Sequence, residues 1–534
     1  MPRAVWPIAL ILLLAAVLLL THLDRPRLWQ DEAETALLGR NALRFGLPRV
    51  WDGVNLVSQG YALDFDRRLL FAKPWLPLYA VAASFAAFGQ GTAQARLPFA
   101  LCGLWSVYLT WRVGTRLAGD GRVGLLAALL LTLSLPFILY ARQCRWYALS
   151  MALTLLLVQG EDRLDEPRGW LRLGLPGALL FHVNYLTLAV TLAGLLAGRA
   201  WTRGRGAMLS RNLLLAMAVV ACAAVPWLLA FPPFGFAAFG AEAGRGGWLY
   251  RVAWVLSDFN RYLLPLPGLA LLLAAFARDL VRRGFYRRLA AIVAVAIPLS
   301  VVPLWTGLIT VIGFRYVVNL LPLAAVLLAA TLVEATRARP WLLLPAVGTH
   351  LTTMALAFPL SLWPFPAGLL RPDLAQAARA VFAPPRGPID GAMEFLAANA
   401  REGDAVFTPY EHLPYQFYTG LRTVGVQNTG SRLERLGLRL PEYVSTFLIG
   451  RVDWMVPRAA WDGFGGAPPM TTLTRVLGEE GFLVEETVLD VPDLRWQWRE
   501  YPPVAVFADD PGLPRLRVLR VRGDPRRVPR PPRP

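Results

Sequence analysis

Charged residues are scarce in this sequence. They make up 17% of its 534 residues, whereas a soluble chain would carry about a quarter. Hydrophobic residues make up 56% of the chain, and many of them lie in apolar runs of about twenty residues, the length of a helix that crosses a bilayer. The composition excludes an ordinary soluble protein and predicts a polytopic α-helical membrane protein.

Cysteine is also rare. The chain has three cysteines, Cys102, Cys144 and Cys222, and all of them lie in apolar segments. This usage excludes a disulfide framework, and no spacing of the metal-binding residue types matches a known metal site. We therefore predict no metal ligands, and the sequence leaves open whether a divalent metal serves as a cofactor.

Lysine is nearly absent, since Lys73 is the only one among 54 basic residues. A single lysine in an arginine-rich chain suggests that a compact point charge is required at that position, and the alternative is chance survival. The net charge of +18 resembles that of a nucleic-acid-binding protein. However, the arginines cluster in short turns between apolar runs, where membrane topology explains them. We predict no nucleic-acid partner.

The arginines also indicate the topology. Arg3 places the N-terminus in the cytoplasm, and the first apolar segment, residues 6–20, is predicted to be a retained anchor because no cleavage site follows it. When every arginine-rich turn is placed inside, residues 1–365 form about eleven spans or more, with residues 74–88 and the second half of residues 231–262 as external interfacial helices. The predicted spans include residues 123–140, 170–181 and 263–276. The prediction is a multi-pass protein of the bacterial inner (plasma) membrane, surrounded by membrane lipids.

The external loop at residues 22–95 is the centre of the predicted site. It holds the adjacent carboxylates Asp31 and Glu32, which suit general acid–base chemistry, and it contains Lys73. The alternative for Asp31 and Glu32 is that they stabilise the start of a helix, where carboxylates are favoured. Glu34 is predicted to lie on a solvated helix face.

A compositional change after residue 365 indicates a second domain. Residues 366–520 alternate short helical and strand-like segments, which predicts a small external or periplasmic α/β domain. Its predicted helices cover residues 391–399 and 470–481, and its predicted strands cover residues 405–408, 447–456 and 482–488. The arginine- and proline-rich tail, residues 521–534, is predicted to be disordered.

Polar residues at the outer ends of several spans are functional candidates, because ionisable groups are costly at membrane depth. The predicted cationic chamber consists of Arg142, Arg145, His182, Asn184, Tyr185, Arg315 and Tyr316. Its guanidinium groups suit the oxygens of a phosphate. The alternatives are lipid headgroup contacts for Arg142 and Arg145, an interfacial anchor for Arg315 with Tyr316, and a packed histidine for His182.

Several short motifs resemble a known family. They are Asp31-Glu32-Ala33 after the first span, GRNALRFGLP, Phe71-Ala72-Lys73-Pro74, Ala95-Arg96-Leu97-Pro98, Arg145-Trp146-Tyr147 and Arg315-Tyr316. Together they resemble the GT-C superfamily of membrane glycosyltransferases. The resemblance covers about residues 1–360 and is strongest to the branch of protein O-mannosyltransferases and lipid A aminoarabinose transferases, which is family 39-like.

The resemblance implies an inverting transfer from a polyprenyl-phosphate-linked sugar donor to an acceptor hydroxyl of a lipid, glycan or protein. It implies that Asp31 is the general base or its orienter and that Lys73 contacts the donor phosphate. We predict Asp31 and Glu32 as the catalytic carboxylates, and Lys73, Arg142, Arg145 and Arg315 as the phosphate-binding residues. Substrate binding is predicted for His182, Asn184, Tyr185 and Tyr316. One departure is that the acidic residue which some relatives carry near Arg145-Trp146-Tyr147 is absent here.

Two other functions are compatible with the sequence. A lipid-linked glycan flippase or transporter could use the same cationic chamber without performing chemistry, although no internal repeat of the kind that transporters often show is visible. A membrane anchor for the C-terminal domain is the third alternative, and it would explain neither the number of spans nor the chamber.

Overall fold

A computed structural model of the chain shows a helical region followed by a small α/β domain. The structure describes residues 5–59, 64–231, 282–305, 314–352, 381–384, 386–425, 452–458, 482–493 and 514–522, and a few single residues between these ranges. The second predicted interfacial helix, apart from five positions, and the predicted span at residues 263–276 lie outside the described residues.

Thirteen helices make up the described part of the helical region. They are α1 (Val5–Leu20), α2 (Gln30–Phe45), α3 (Leu76–Phe88), α4 (Thr92–Ala118), α5 (Gly121–Thr132), α6 (Leu135–Ala141), α7 (Tyr147–Asp162), α8 (Gly169–Phe181), α9 (Tyr185–Arg203), α10 (Arg211–Ala230), α11 (Gly284–Trp305), α12 (Leu321–Ala335) and α13 (Leu343–Thr352). A pair of short 3₁₀ turns, Phe314–Tyr316 and Val318–Leu320, precedes α12.

Two of the described helical segments, residues 211–230 and 318–335, are long and apolar enough to cross a membrane. The pair α5 and α6 would be a third span, bent by 67° at the break between them. Leu10 and Leu229 are 65% and 79% exposed, as expected for side chains that face lipid. The fold is helical as predicted, and the count of about eleven spans stays a prediction.

Helices α2 and α3 both lie in the predicted external loop and pack against each other. The two helices approach closely at Gly39 of α2, where a Cβ would lie only 2.7 Å from Val81 Cγ1 of α3. Gly46 ends α2 in the left-handed conformation, with a φ of +76°, which glycine adopts without strain. These features fix α2, which carries Asp31, against its neighbour.

The C-terminal domain contains a five-stranded mixed sheet with the order β2-β1-β3-β5-β4. Its elements are α14 (Pro388–Asn399), β1 (Ala405–Phe407), α15 (His412–Thr419), β2 (Arg422–Val424), β3 (Trp454–Met455), β4 (Leu483–Pro492) and β5 (Arg515–Arg522). Strands β1, β2 and β3 are parallel, whereas β5 is antiparallel to β3 and β4.

Strand β5 corrects the predicted boundary of the tail. It continues through Arg522, so residues 521 and 522 belong to the sheet and not to a disordered segment. Leu516 and Val518 of β5 are buried in the domain core, while Arg517 pairs with Glu486 on the neighbouring strand at 3.3 Å. Residues 523–534 and most of the predicted helix at residues 470–481 lie outside the described residues.

The C-terminal domain contacts the loop that carries the predicted site. Helix α15 packs against α2, and the hydroxyl group of Tyr418 accepts a hydrogen bond of 2.8 Å from the Leu28 amide. The Arg27 guanidinium lies 3.2 Å from the Asp390 carboxylate. The C-terminal domain therefore contacts both α2 and the segment immediately before it.

Candidate active site

The first turn of α2 presents the central carboxylate of the site. Asp31 is buried, and its Oδ2 lies 3.3 Å from Arg315 Nη1 and 3.6 Å from Arg145 Nη2. Acidic groups are favoured at this end of a helix because the first N–H groups are unpaired. The two ion pairs go beyond that role, because they bring Asp31 together with two of the predicted phosphate-binding arginines.

Arg145 connects three groups of α2. Its Nη1 donates to the main-chain oxygen of Asp31 at 2.9 Å, to Glu34 Oε2 at 2.9 Å and to Thr35 Oγ1 at 3.1 Å. The prediction that Glu34 lies on a solvated face is wrong, because the Glu34 side chain is only 2% exposed. Arg145 thus fixes the relative positions of two carboxylates one helical turn apart.

Lys73 faces Glu34 from the other side. Its Nζ lies 3.5 Å from Glu34 Oε1, and its side chain is 35% exposed. Burial alone would lower the pKa of the ammonium group, but the negative charges of Glu34 and Asp64 raise that pKa above its ordinary value. Lys73 is therefore a protonated cation that a ligand can approach.

Asp64 is a member of the site that the sequence reasoning missed. It is fully buried and accepts hydrogen bonds from Ser58 Oγ at 2.6 Å and from the Gln59 amide at 3.1 Å. Burial raises the pKa of the Asp64 carboxyl, although the charge of Lys73 opposes this shift. Its only sequence signal was its position in the same loop as Lys73.

Six residues with balanced formal charges form one charged cluster. They are the carboxylates Asp31, Glu34 and Asp64 and the cations Lys73, Arg145 and Arg315. Four separate segments of the chain supply them: α2, the loop before α3, the turn before α7 and the 3₁₀ turn before α12. The cluster can hold an anion among cations while keeping a carboxylate in reach of a neutral hydroxyl.

The structure argues against the catalytic role predicted for Glu32. The side chain is fully buried, and Arg96 binds both of its oxygens, with distances of 2.7 Å to Oε1 and 2.6 Å to Oε2. The Cys144 amide donates to Oε1 as well, at 2.8 Å. These bonds occupy the carboxylate and fasten α2 to α4 and to the turn before α7.

Arg142 also lies outside the charged cluster. It is buried, and its guanidinium donates to the main-chain oxygens of Leu18 at 2.8 Å and His22 at 3.0 Å. Leu18 lies in the last turn of α1 and His22 in the turn that follows, so Arg142 is occupied by main-chain oxygens where that helix ends. The geometry of the described residues therefore gives no support to the predicted phosphate contact of Arg142.

The remaining chamber residues divide into two groups. Tyr185 interacts electrostatically with both Lys73 and Tyr316, and the Arg315 guanidinium lies over the Tyr316 ring at 5.0 Å. These two tyrosines border the charged cluster. Asn184 instead caps α9, since its Oδ1 accepts a hydrogen bond of 3.0 Å from the Thr187 amide.

His182 is a packed histidine. Its ring contacts those of Trp227 and Phe181 edge-on, with centroid distances of 5.4 and 5.2 Å, and its main-chain oxygen accepts a hydrogen bond from the Leu76 amide at 3.0 Å. It supports the start of α3, the helix that follows Lys73. Among the described residues, no group of three or more His, Cys, Asp or Glu side chains is arranged to hold a metal ion.

Comparisons with known proteins show which proteins the chain resembles. A family model described as dolichyl-phosphate-mannose-protein mannosyltransferase matches residues 72–229. Two crystal structures of ArnT from Cupriavidus metallidurans, one in the apo state and one bound to undecaprenyl phosphate, each match with a TM-score of 0.55. They are 16% and 15% identical, and the matches cover 97% of this chain and 98% of theirs.

A third similar structure is the archaeal oligosaccharyltransferase AglB from Archaeoglobus fulgidus, in complex with an inhibitory peptide and a dolichol-phosphate. Its TM-score is 0.52 at 12% identity, and the match covers 85% of this chain and 70% of that one. None of the curated proteins matches the sequence.

The family model and the structural neighbours confirm the resemblance to the GT-C superfamily. At identities of 12% to 16%, these structures show a shared fold, and the similarity to a glycosyltransferase family is carried by residues 72–229.

Proposed function

We propose that the protein transfers a sugar from a polyprenyl-phosphate-linked donor to an acceptor hydroxyl at the external face of the bacterial inner membrane, with inversion at the anomeric carbon. The observation that carries the proposal is the position of Asp31. Its carboxylate contacts Arg145 and Arg315 and lies one helical turn from Glu34, which pairs with Lys73.

Asp31 acts as the general base in this proposal. An oxygen of its carboxylate accepts the proton of the acceptor hydroxyl as the hydroxyl oxygen bonds to the anomeric carbon, and the bond from the same carbon to the phosphate oxygen breaks. A base needs to lie within hydrogen-bond reach of the proton it removes. One displacement at the anomeric carbon inverts its configuration, so the product has the opposite anomeric form.

Lys73, Arg145 and Arg315 bind the phosphate. As the glycosidic bond breaks, negative charge grows on the lipid phosphate, and cations already positioned beside it stabilise that charge in a site shielded from water. The arginines can form paired hydrogen bonds to phosphate oxygens, and Lys73 supplies a point charge. Glu34 holds both Lys73 and Arg145 in position before the donor arrives.

Three features of the known proteins support this assignment. The matching family model carries the name of a dolichyl-phosphate-mannose-dependent transferase, the ArnT structure contains undecaprenyl phosphate, and the AglB structure contains dolichol-phosphate. The acceptor is a lipid, a glycan or a protein. We further propose that the N-terminus is cytoplasmic and that the C-terminal domain lies outside.

A donor screen tests the proposed function. Membranes containing the full chain would receive a panel of radiolabelled polyprenyl-phosphate sugars, and the loss of label from the lipid would be followed. Release from one donor, with an inverted anomeric centre in the product, is the expected result and names the sugar. If every donor binds and none loses its label, the flippase or transporter alternative replaces this proposal.

A further inference from the structure

Helix α15 of the C-terminal domain forms hydrogen bonds with Gln30, the residue that precedes Asp31. The Gln30 side chain is buried against α15, where its Nε2 lies 3.3 Å from His412 Nδ1 and its Oε1 accepts a hydrogen bond of 3.1 Å from the Leu413 amide. The first turn of the catalytic helix α2 therefore depends on a contact with another domain, some 382 residues away in sequence.

The other ring nitrogen of His412 reaches the loop that carries Lys73. His412 Nε2 lies 3.0 Å from the main-chain oxygen of Ser58. The hydroxyl group of the same Ser58 donates to Asp64 at 2.6 Å, and the Asp64 carboxylate interacts electrostatically with Lys73 in the charged cluster. One imidazole ring thus joins the segment that holds the base to the segment that holds the phosphate-binding ammonium.

These contacts define the tautomer of His412. A carbonyl oxygen only accepts, so Nε2 carries the proton and donates it to Ser58. Nδ1 is then an acceptor and receives the hydrogen bond from Gln30 Nε2. This arrangement agrees with the Gln30 orientation, because its Oε1 accepts from the Leu413 amide. Burial lowers the pKa of His412 to about 4, so the ring is neutral at physiological pH.

Together with the charged cluster, these bonds form a ring of contacts around the site, in which the link between Asp64 and Lys73 is a charge interaction and not an ion pair or hydrogen bond. It runs from Asp31 through its neighbour Gln30 to His412, Ser58, Asp64, Lys73, Glu34 and Arg145, and returns to Asp31. His412 is the only member that the C-terminal domain contributes. The ring has two arms that start at His412. The Asp31 arm begins with the contact of His412 Nδ1 with Gln30, and the Lys73 arm begins with the contact of His412 Nε2 with Ser58.

We propose that His412 is a positioning residue of the active site, through which the C-terminal domain sets the spacing between the base Asp31 and the phosphate-binding Lys73. This inference rests on the proposed function. It makes the external domain part of the catalytic unit, because a displacement of about 1 Å between reacting groups can reduce a rate about a hundredfold.

The two arms can be tested separately. Asparagine at position 412 places an amide oxygen near the position of Nδ1 and preserves the acceptor for Gln30, whereas glutamine places an amide nitrogen near the position of Nε2 and preserves the donor to Ser58. We expect His412→Gln to lower kcat about tenfold with little change in the donor KM. We expect His412→Asn to raise the donor KM about tenfold with little change in kcat.

A matched control comes from the same domain interface. Asp390→Asn removes the ion pair with Arg27, which lies outside the ring of contacts, and we expect kcat and KM to stay unchanged. Gln30→Leu breaks the hydrogen bond between Gln30 and His412 from the Gln30 side. Its loss of kcat should therefore not add to that of His412→Gln, because both substitutions break the same hydrogen bond.

The experiment measures donor KM and kcat for the full-length variants, with the thermal midpoint of unfolding beside them. A lower kcat in His412→Gln together with a higher donor KM in His412→Asn would support the proposal. The proposal would be overturned if neither variant changed kcat or donor KM. It would also be overturned if both variants lost the same activity in proportion to the fraction of protein that is folded, and His412 would then be a packing residue. A wild-type chain that transfers no sugar would instead refute the proposed function itself.

Discussion

At the scale of single residues, the site depends on how carboxylates and cations share charge. Glu34 and Asp64 both act on the charge of the Lys73 ammonium, and Glu34 also pairs with Arg145. A donor phosphate that enters the cluster competes with these carboxylates for the same cations. Donor affinity is therefore set by the difference between two sets of charged contacts, and substitutions at Lys73 and Glu34 should shift it in opposite directions.

Removal of the ammonium should weaken donor binding. Lys73→Ala is expected to reduce the affinity for a polyprenyl-phosphate sugar about tenfold to a hundredfold, because a hydrogen bond to a charged group contributes about 1.5–3 kcal/mol. The measurement is equilibrium binding of the radiolabelled donor. Lys73→Arg is the control, since it keeps the charge and should retain more affinity than the alanine variant. Unchanged affinity in Lys73→Ala would contradict the role given to this residue.

Removal of the competing carboxylate should have the opposite effect. Glu34→Gln keeps the size of the side chain but releases Arg145 and Lys73 from a negative charge at 2.9 and 3.5 Å. The variant is expected to bind the lipid phosphate product several-fold more tightly, and to release it more slowly. Competition between labelled donor and unlabelled polyprenyl phosphate measures this change, and weaker binding of the phosphate would show that Glu34 acts only by positioning the cations.

The sequence identified some members of the site but not others, for physical reasons. Lys73 was identifiable because its residue type is unique in the chain, and Asp31 because it follows the first span. The exposure of Glu34 was predicted wrongly, since helical spacing does not reveal which neighbouring segments cover a face. Asp64 was missed because it is brought to Lys73 by the path of a loop, and local patterns do not encode that path.

At the scale of secondary-structure elements, a buried ion pair holds α2 in place. Glu32 of α2 and Arg96 of α4 form a bidentate pair, and their side chains are 0% and 5% exposed. Arg96 also donates to the main-chain oxygens of Leu23 and Pro26. Such a pair is costly to break from one side because the remaining charge stays buried.

Loss of one partner should therefore destabilise the protein. Glu32→Ala is expected to lower the free energy of unfolding by about 3–5 kcal/mol, whereas alanine at the exposed Glu402 should change it by less than about 0.5 kcal/mol. Thermal and denaturant unfolding in detergent measure both. If Glu32→Ala unfolds like the wild type but has lost all transfer activity, Glu32 is catalytic after all.

Helix positions were largely predictable, because each depends on a local apolar run. The predicted segments 6–20, 74–88 and 170–181 differ from α1, α3 and α8 by no more than two residues at either end. The segment predicted at residues 123–140 is instead bent, since Ser134 and Pro136 begin a new helix. Strand β5 carries an alternating pattern of arginine and apolar residues, but the adjacent arginine- and proline-rich tail concealed it.

At the scale of the whole molecule, the two domains meet at a buried histidine. His412 lies between α2 and the loop containing Ser58, where both of its ring nitrogens are engaged. The sequence predicted a C-terminal α/β domain but did not predict this contact. Partners that lie hundreds of residues apart leave no trace in the local patterns from which single sequences are interpreted.

The stability of the assembled chain should depend on pH through His412. The pKa of this group is about 4 in the folded protein, against an ordinary value of 6.5, so only the unfolded chain binds a proton between those values. The contribution of His412 to the free energy of unfolding is therefore fully present above pH 6.5. It decreases by about 3 kcal/mol in total as the pH falls from 6.5 towards 4.

Unfolding measured from pH 7 to pH 4 tests this dependence. The difference between wild type and His412→Gln isolates the contribution of the histidine, since other titrating groups are shared by both chains. We expect the wild type to lose stability more steeply between pH 6.5 and 4. Parallel curves for the two proteins would show that His412 is not held neutral at the interface.

Asp31 is proposed to remove the proton of the acceptor hydroxyl, and substitution of this residue tests that role. Asp31→Asn keeps the shape of the side chain and removes the base, so transfer from the labelled donor identified in the screen should fall by at least about a hundredfold. Donor binding should be retained or become tighter, because the substitution also removes a negative charge 3.3 Å from Arg315 and 3.6 Å from Arg145. The thermal midpoint should stay close to that of the wild type. Transfer by Asp31→Asn at a rate comparable to that of the wild type would contradict the claim and move the base to another residue.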